Sequence, residues 1–181
     1  MNIEIVSGSP RQGSITIRVA KYLQHILQTQ TSHNIGLIDV KEWQLPALQQ
    51  EVYSSYETAP THLQPLVLRM QQAQAFILVT PEYNGSYTPA MKNLLDHFPK
   101  QSRKAFGIVT ASTGIMGGIR ASQQMQLLIN GLFGIGSPYM LIVPQVDKKF
   151  DAQNQLVDET FQKSINTFIS EYLWLAEQLS N

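Results

Sequence analysis

The apolar positions of the chain fall into five short runs separated by longer mixed segments. Four of the runs are continuous rather than alternating, which is typical of strands buried on both faces of a sheet. The remaining run is interrupted by Gly36 and Asp39, so we expect it to form an edge strand. The five predicted strands are IEIV (3–6), IGLIDV (35–40), AFILV (75–79), AFGIV (105–109) and YMLIV (139–143).

The segments between these strands carry apolar residues at helical spacing, and the first holds Ile15, Val19, Leu23, Ile26 and Leu27 on one stripe. Strand and helix therefore alternate, which predicts an α/β fold with an open five-stranded parallel sheet and helices on both faces. In such sheets, ligands bind beyond the carboxyl ends of the strands. The other predicted helices cover roughly 60–72, 89–98, 118–131 and 158–179.

Length and composition favour one cytoplasmic domain. The 181 residues suit a single domain spanning 1–181, and 43% hydrophobic residues is ordinary for a globular protein. Equal numbers of basic and acidic residues, 13 of each, argue against nucleic acid or an anionic membrane surface as partner. The chain has no cysteine, no signal-like start and no apolar run long enough to cross a bilayer. The histidines show no spacing that predicts a metal site; they are His25, His33, His62 and His97.

The loop after the first strand, SGSPRQGSIT (7–16), is rich in groups that bind anions. Its hydroxyls, the guanidinium of Arg11 and the free amides at the start of the next helix are suited to a single phosphate. A Walker lysine and the three-glycine dinucleotide spacing are both missing, so the pattern favours a terminal monophosphate such as that of a mononucleotide. The alternative is that Ser14 only caps the helix and the other residues form a turn.

The loop after the third strand, TPEYNGSYTPAMKN (80–93), leads into a helix. Thr88 is a good helix cap with a proline behind it, which leaves Asn84 and Gly85 free to direct backbone amides at a flat ligand. Lys92 opposes the helix dipole because it is a cation in the first turn, and such conflicts often mark functional or braced positions. A solvent-exposed lysine is the alternative.

The loop after the fourth strand, TASTGIMGGIRA (110–121), consists largely of small residues. We expect Ser112, Thr113, Gly114, Gly117 and Gly118 to form a platform on which a large planar group rests against the backbone. A mobile glycine loop is the alternative. Three such loops at the same edge of one sheet favour a shared ligand site.

Together, GSPRQGS, PEYNGSYTPAMKN and STGIMGGIRA resemble the three flavin loops of the NADPH-dependent FMN reductase family, which includes azo, quinone and chromate reductases. The resemblance runs from Ile3 to about Val146, and the middle motif is its most specific part. It implies a flavodoxin-like sheet of order 2-1-3-4-5, FMN as cofactor and NADPH or NADH as electron donor. It also implies ping-pong hydride transfer through FMN to a small-molecule acceptor such as a flavin, a quinone or an azo compound.

The resemblance implies a role for each matched position. The first loop would hold the FMN phosphate, the second would line the ring, and the third would lie near its other side. Lys92 and Asn93 would brace the ring loop, and Arg120 would either meet a nicotinamide phosphate or remain solvated, as surface statistics favour. No catalytic side chain is predicted, because the flavin itself accepts the hydride. The implied FMN-binding residues are Ser9, Arg11, Ser14, Ile15, Thr16, Pro81, Glu82, Tyr83, Asn84, Gly85, Ser112, Thr113 and Gly114.

The chain also departs from the family pattern. Thr16 and Thr113 stand where relatives often have asparagine and glycine, and the pair Met125-Gln126 replaces a common leucine-arginine pair. The second change leaves open any subunit contact that the arginine serves. The family implies a homodimer or homotetramer, and we expect Tyr87 and Phe98 to be exposed apolar residues suited to an interface.

Three other functions remain open from the sequence. A flavodoxin-type electron carrier would bind FMN without oxidising NAD(P)H, but such carriers are typically strongly acidic and this chain is neutral. A phosphatase would use the first loop for its substrate, but the low-molecular-weight type requires a cysteine nucleophile, which this chain lacks. A regulatory protein that has kept the fold without the chemistry is the third alternative.

Overall fold

Strands and helices alternate over the first 131 residues of the computed structural model, which describes residues 1–43, 45–47 and 52–180. The strands are β1 (Asn2–Ser7), β2 (Asn34–Asp39), β3 (Ala75–Thr80), β4 (Ala105–Ala111), β5 (Ile135–Gly136) and β6 (Leu141–Val143). The helices are α1 (Thr16–Gln30), α2 (Gln64–Gln72), α3 (Pro89–Asp96), α4 (Ile119–Gly131), α5 (Val146–Lys149) and α6 (Gln162–Ser180), with a 3₁₀ turn at Glu159–Phe161.

Two helices begin later than predicted. The helix expected from 60 begins at Gln64, because Pro60 starts a turn in which its carbonyl accepts the Leu63 N–H at 2.8 Å. The helix expected from 158 begins at Gln162, because Asp158 caps the preceding 3₁₀ turn through the Thr160 N–H. Both differences affect the ends of elements and leave their order unchanged.

The strands form one parallel sheet in the order β2-β1-β3-β4-β5, which confirms the predicted flavodoxin-like order 2-1-3-4-5. Ser7 of β1 is in register with Asp39 and Val79, and Thr80 of β3 is in register with Thr110. The carboxyl ends of these four strands therefore reach the same edge of the sheet. The loops that follow β1, β3 and β4 leave from that edge side by side.

The fifth position of the sheet is shared by two short strands rather than filled by the predicted run 139–143. β5 pairs with the start of β4, and β6 pairs with its end. Pro138 lies between the two strands and has no N–H to donate, so the hydrogen-bond ladder is interrupted there. The strand that follows begins at Leu141.

Helices cover both faces of the sheet, and each face has its own apolar core. β3 and β4 are buried along their whole length, which explains why their apolar runs are continuous. α1 and α6 pack on one face, whereas α2, α3 and α4 pack on the other. Within residues 1–43, 45–47 and 52–180, no helix has both the length and the apolarity needed to cross a bilayer.

Phe98 is not the exposed residue that was predicted. It is 4% exposed and packs in the core under α3, with its ring edge-on to Tyr53 at a centroid distance of 6.3 Å. Tyr87 is half-buried against the same core. Burial raises the pKa of the Tyr87 hydroxyl, so this residue is a neutral phenol near physiological pH. Neither aromatic ring offers the fully exposed apolar surface expected of an interface residue.

An ion pair with a buried carboxylate joins β1 to α2. Glu4 is 8% exposed, and its carboxylate accepts two hydrogen bonds from the Arg69 guanidinium, with Nε and Oε1 2.9 Å apart. Gly36 on β2 leaves room for this carboxylate, because a Cβ at that position would lie 2.2 Å from Glu4 Oε2. The bidentate geometry compensates a charge that burial would otherwise leave unpaired.

Candidate functional site

Three loops meet in one cleft at the carboxyl edge of the sheet. The cleft has a volume of about 230 Å³, and its walls come from the loops after β1, β3 and β4 and from the start of α5. Of the predicted site residues, Asn84, Gly85 and Gly114 lie outside its lining. The lining residues are Ser9, Arg11, Gly13, Ser14, Ile15, Thr16, Pro81, Glu82, Tyr83, Ala111, Ser112, Thr113 and Val146.

Gly13, Ala111 and Val146 also line the cleft, although they are not among the predicted FMN-binding residues. Gly13 has a φ of +33°, so it provides a bend in the first loop that a side chain would oppose. Ala111 is the last residue of β4, and Val146 begins α5 after the left-handed residue Gln145. Small apolar residues carry no chemical signal in a sequence, and Val146 reaches the cleft only because β6 pairs with β4.

The amino end of α1 presents donors that have no protein partner. Ile15 is its cap residue, and no side chain within the described part of the chain caps the helix. Ser14 Oγ is buried and finds no hydrogen-bond partner among the described residues. The alternative in which Ser14 caps α1 is therefore wrong. The free amides, the helix dipole and the Ser14 hydroxyl suit this end of the cleft to an anion.

Arg11 and Tyr83 connect the first loop to the second across the cleft. The Arg11 guanidinium carbon lies 4.9 Å from the centroid of the Tyr83 ring, which is a cation–π contact. Arg11 is exposed, so its donors are accessible to a ligand. The Tyr83 hydroxyl is buried and has no hydrogen-bond partner in residues 1–43, 45–47 and 52–180. The cleft therefore has a cation and an aromatic wall side by side.

The second loop contains a tight turn before it enters α3. Tyr83 and Ser86 exchange backbone hydrogen bonds of 2.8 and 3.1 Å. Asn84 and Gly85 lie between them with φ values of +50° and +82°. Two consecutive positive φ values define the hairpin-type turn that an Asn-Gly pair favours. This turn explains why Asn84 and Gly85 lie outside the cleft lining.

Lys92 does not form the predicted brace to the ring loop. Its ammonium forms an ion pair with Asp96, one turn further along α3, and this pair accommodates a cation in the first turn of a helix. Asn93 donates from Nδ2 to the carbonyls of Leu45 and Pro46 at 3.3 and 2.9 Å. These two bonds connect α3 to the segment after β2.

Backbone hydrogen bonds hold the third loop against the segment after β6. The Ser112 backbone N–H donates to the Val143 carbonyl at 3.1 Å, and the Ser112 carbonyl accepts the Val146 N–H at 3.0 Å. The Gly114 carbonyl accepts the Gln145 N–H at 3.2 Å, and the Gly114 N–H donates to Ser112 Oγ at 3.0 Å. This network does not support the alternative of a mobile glycine loop.

Glu82 connects the second loop to α4, which the sequence did not predict. Its carboxylate accepts the backbone N–H of Arg120 at 3.1 Å and lies 3.4 Å from the guanidinium of the same residue. A carboxylate at the amino end of a helix is stabilised by the helix dipole. The Arg120 side chain is 73% exposed, in agreement with its interpretation as a solvated arginine.

The similarity of this chain to known proteins extends over most of its length. The family model described as NADPH-dependent FMN reductase matches residues 1–146. The chain belongs to this family. The reductase is 28% identical over 174 residues to an FMN-dependent NADPH-azoreductase of Staphylococcus saprophyticus, covering 93% of this chain and 92% of the relative.

Solved structures share the fold of the reductase. FerB, a flavoenzyme NAD(P)H:(acceptor) oxidoreductase from Paracoccus denitrificans, has a TM-score of 0.80 and 20% identity, with 97% of each chain covered. The apo form of an NADH:FMN oxidoreductase has a TM-score of 0.71 and 20% identity, covering 95% of this chain and 88% of that chain. At this level of identity, both similarities establish the flavodoxin-like fold.

Family membership identifies the chain as an NAD(P)H-dependent FMN reductase with FMN as its cofactor. The interpretations as an electron carrier that does not oxidise NAD(P)H, a phosphatase or a regulatory protein are thereby rejected. The cleft residues fit this cofactor chemically. The unpartnered Ser14 hydroxyl and the free amides of α1 suit a phosphate, and the Tyr83 ring beside Arg11 suits a planar group.

Proposed function

We propose that the reductase binds FMN in this cleft and passes electrons from NAD(P)H to flavin, quinone, azo or similar acceptors by a ping-pong mechanism. The convergence of three loops on one cleft with an anion-binding end and an aromatic wall carries the proposal. When bound, FMN supplies the hydride chemistry by accepting reducing equivalents from NAD(P)H and passing them on.

In the proposed complex, the first loop and the start of α1 hold the FMN phosphate. Arg11 neutralises part of the phosphate charge, and Ser14 Oγ gains the partner that it lacks within the described residues. Ile15 and Thr16 contribute amides from the first turn of α1, where the helix dipole favours an anion. Ser9 completes this end of the cleft.

The second and third loops enclose the ring in the same proposal. Their role is to orient the ring and to supply fixed dipoles, because hydride transfer requires no proton transfer by a side chain. Backbone amides near the ring stabilise the negative charge that reduction adds. The residues assigned to the ring are Pro81, Glu82, Tyr83, Asn84, Gly85, Ser112, Thr113 and Gly114.

The size of the cleft supports an alternating mechanism. Its volume of about 230 Å³ is below the range of about 300–1,000 Å³ that is usual for small-molecule sites. A cleft of this size does not hold the cofactor, the donor and the acceptor together. We therefore infer that NAD(P)H leaves before the acceptor binds over the same surface.

Steady-state rates test this order of binding. When NADPH and an azo dye are varied together, the FMN-loaded reductase is expected to give parallel lines in double-reciprocal plots. NADPH added without oxygen or acceptor is expected to bleach the yellow flavin, because the first half of the reaction does not require the acceptor. Dye added without NADPH is the control and should leave the flavin spectrum unchanged. Intersecting lines would show that a ternary complex forms and would refute the ping-pong order.

The choice of an azo dye and NADPH rests on the relatives. The Staphylococcus saprophyticus protein is named an FMN-dependent NADPH-azoreductase, and the matching family is described as NADPH-dependent. We propose the same donor and an azo or similar acceptor for this chain.

A cytoplasmic location and a single domain over 1–181 also stay predictions. The absence of cysteine favours the first, and the chain length favours the second.

We further propose that the reductase forms a homodimer or homotetramer. Ile115, Met116 and Leu127, in the third loop and on α4, are 77%, 59% and 65% exposed, and such apolar surface favours contact with another subunit. Sedimentation of Leu127→Lys is expected to show dissociation toward monomers. Trp174→Lys, at an exposed position on α6, is the matched control and should keep the wild-type state. A monomeric wild type at micromolar concentration would refute the proposal.

A further inference from the structure

Thr88 connects the loop that follows β3 to the loop that follows β1. As predicted, it caps α3, since its Oγ1 accepts the Met91 N–H at 3.1 Å. The same hydroxyl donates to the carbonyl oxygen of Gly8, 80 positions earlier in the chain. Thr88 is fully buried. The Thr88 hydroxyl therefore donates a hydrogen bond to the first loop and accepts one from the first turn of α3.

A hydrogen bond to β3 also holds Gly8 in place. Its N–H donates to the Val79 carbonyl at 2.8 Å. A Cβ at this position would lie 2.5 Å from Met91 Cε, 3.1 Å from Met91 Cβ and 3.3 Å from the Val79 oxygen, so a side chain there would crowd β3 and α3. The Gly8 residue thus has little freedom to rotate either of its peptide groups.

The orientation of the Gly8 carbonyl determines the orientation of the next N–H. The Gly8–Ser9 peptide bond is trans, as are the other described peptide bonds. In a planar trans peptide, the C=O and the following N–H point in opposite directions. Because the Gly8 carbonyl points to Thr88 at the start of α3, the Ser9 N–H points to the opposite face of the sheet. Helix α1 packs on this opposite face, and the first residues of α1 line the cleft.

The Ser9 N–H finds no acceptor within the part of the chain that the structure describes. Ser9 is 3% exposed and lines the cleft, yet no hydrogen bond from its N–H is made to any described residue. A buried backbone donor without an acceptor is uncommon in native proteins and costs free energy until a ligand or a water satisfies it. The unpartnered Ser14 hydroxyl lines the same cleft.

We propose that Thr88 is a positioning residue for the cofactor phosphate: its hydroxyl fixes the Gly8–Ser9 peptide so that the Ser9 N–H donates to the phosphate. This inference rests on the proposed binding of FMN in the cleft. Without the Thr88 hydroxyl, the peptide is free to rotate and its carbonyl oxygen is able to face the anion instead, which replaces an attraction by a repulsion. The effect is specific for the phosphate group of the ligand.

Titration of the apoprotein with FMN and with riboflavin tests the proposal, because the two ligands differ only in the phosphate. Wild-type protein is expected to bind FMN more tightly than riboflavin. Thr88→Val is expected to lose roughly ten- to hundredfold in FMN affinity, with riboflavin affinity changed by less than about twofold. Thr88→Ser keeps the hydroxyl and is expected to restore FMN affinity to within about threefold of wild type.

The controls separate positioning from general stability. Ile165→Val removes one methylene from the core under α6, at a residue that does not line the cleft, and serves as a variant of reduced thermal stability. It should keep the wild-type ratio of FMN to riboflavin affinity. Should Thr88→Val fail to fold, the amide resonance of Ser9 in labelled wild-type protein provides the second measurement. Its proton is expected to shift strongly downfield with FMN and much less with riboflavin.

Each result distinguishes this inference from the proposed function. If wild-type protein prefers FMN but Thr88→Val weakens both ligands equally, Thr88 has only a structural role and the inference is wrong. If the Ser9 resonance responds equally to both ligands, the inference is also wrong. If wild-type protein binds FMN no better than riboflavin, the assignment of the phosphate to the first loop fails, and the inference fails with it.

Discussion

Gly117→Ala is expected to lower the affinity of the protein for FMN by at least about tenfold. Gly117 has a φ of +61°, in the left-handed region that costs other residues about 1–2 kcal/mol. A Cβ there would also lie 2.6 Å from Ile142 Cγ2, 2.9 Å from the Pro144 nitrogen and 3.1 Å from the Val143 carbonyl carbon. Two of these atoms belong to the backbone, so a side-chain rotation cannot relieve the contact.

The third loop is expected to move in response, because Gly117 belongs to it and Ser112 and Thr113 of the same loop line the cleft. Ser112 and Thr113 would then shift from the positions proposed for the ring. Gly131→Ala is the matched control, since a Cβ at that position on α4 has no heavy atom within 4 Å. Fluorescence titration of the two apoproteins with FMN provides the measurement. Equal FMN affinity in both variants would show that the third loop does not contribute to the site.

Arg69→Met is expected to reduce the free energy of unfolding by about 3–5 kcal/mol, because it leaves a buried carboxylate without its partner. Glu4 is 8% exposed, and the two hydrogen bonds from Arg69 are the interactions that compensate its charge. Methionine keeps much of the apolar stem of the arginine side chain, so the loss in free energy of unfolding reflects mainly the missing charge.

Lys92→Met is the matched control for this substitution. It also removes a cation from a helix, but the Lys92–Asp96 pair is exposed, and such pairs contribute about 0–1 kcal/mol. Urea unfolding followed by circular dichroism gives both free energies. A loss for Arg69→Met no larger than that for Lys92→Met would mean that water or another group compensates the Glu4 carboxylate, contrary to the role assigned to the buried pair.

The regular part of the fold was predictable because local pattern and tertiary environment agree. The runs that became β3 and β4 are continuously apolar, and both strands are buried on both faces. The second apolar run, which became β2, is interrupted at Gly36. The edge position of β2 is only part of the reason, because Gly36 also makes room for the Glu4 side chain on β1. This partner is distant in sequence, so the pattern of β2 by itself did not indicate it.

The candidate site was predictable in its loops but not in its contacts. Loops with many hydroxyls and glycines have a recognisable composition, and most of the residues assigned by family resemblance line the cleft. The contact of Thr88 with Gly8 and that of Glu82 with α4 join segments far apart in the chain. Lys92 had a local partner, Asp96, four residues later, and this i,i+4 pairing was readable in the sequence.

Val146 is the last cleft-lining residue in the described chain, and the family match ends at the same position. Beyond it, α6 supplies Phe168 and Tyr172, which press against Gly107 in the middle of β4. The packing of α6 on β4 therefore depends on shape and apolar volume. Apolar substitutions that conserve the volume of Phe168 or Tyr172 are expected to cost little stability, whereas replacement of a cleft residue also removes a group that faces the ligand.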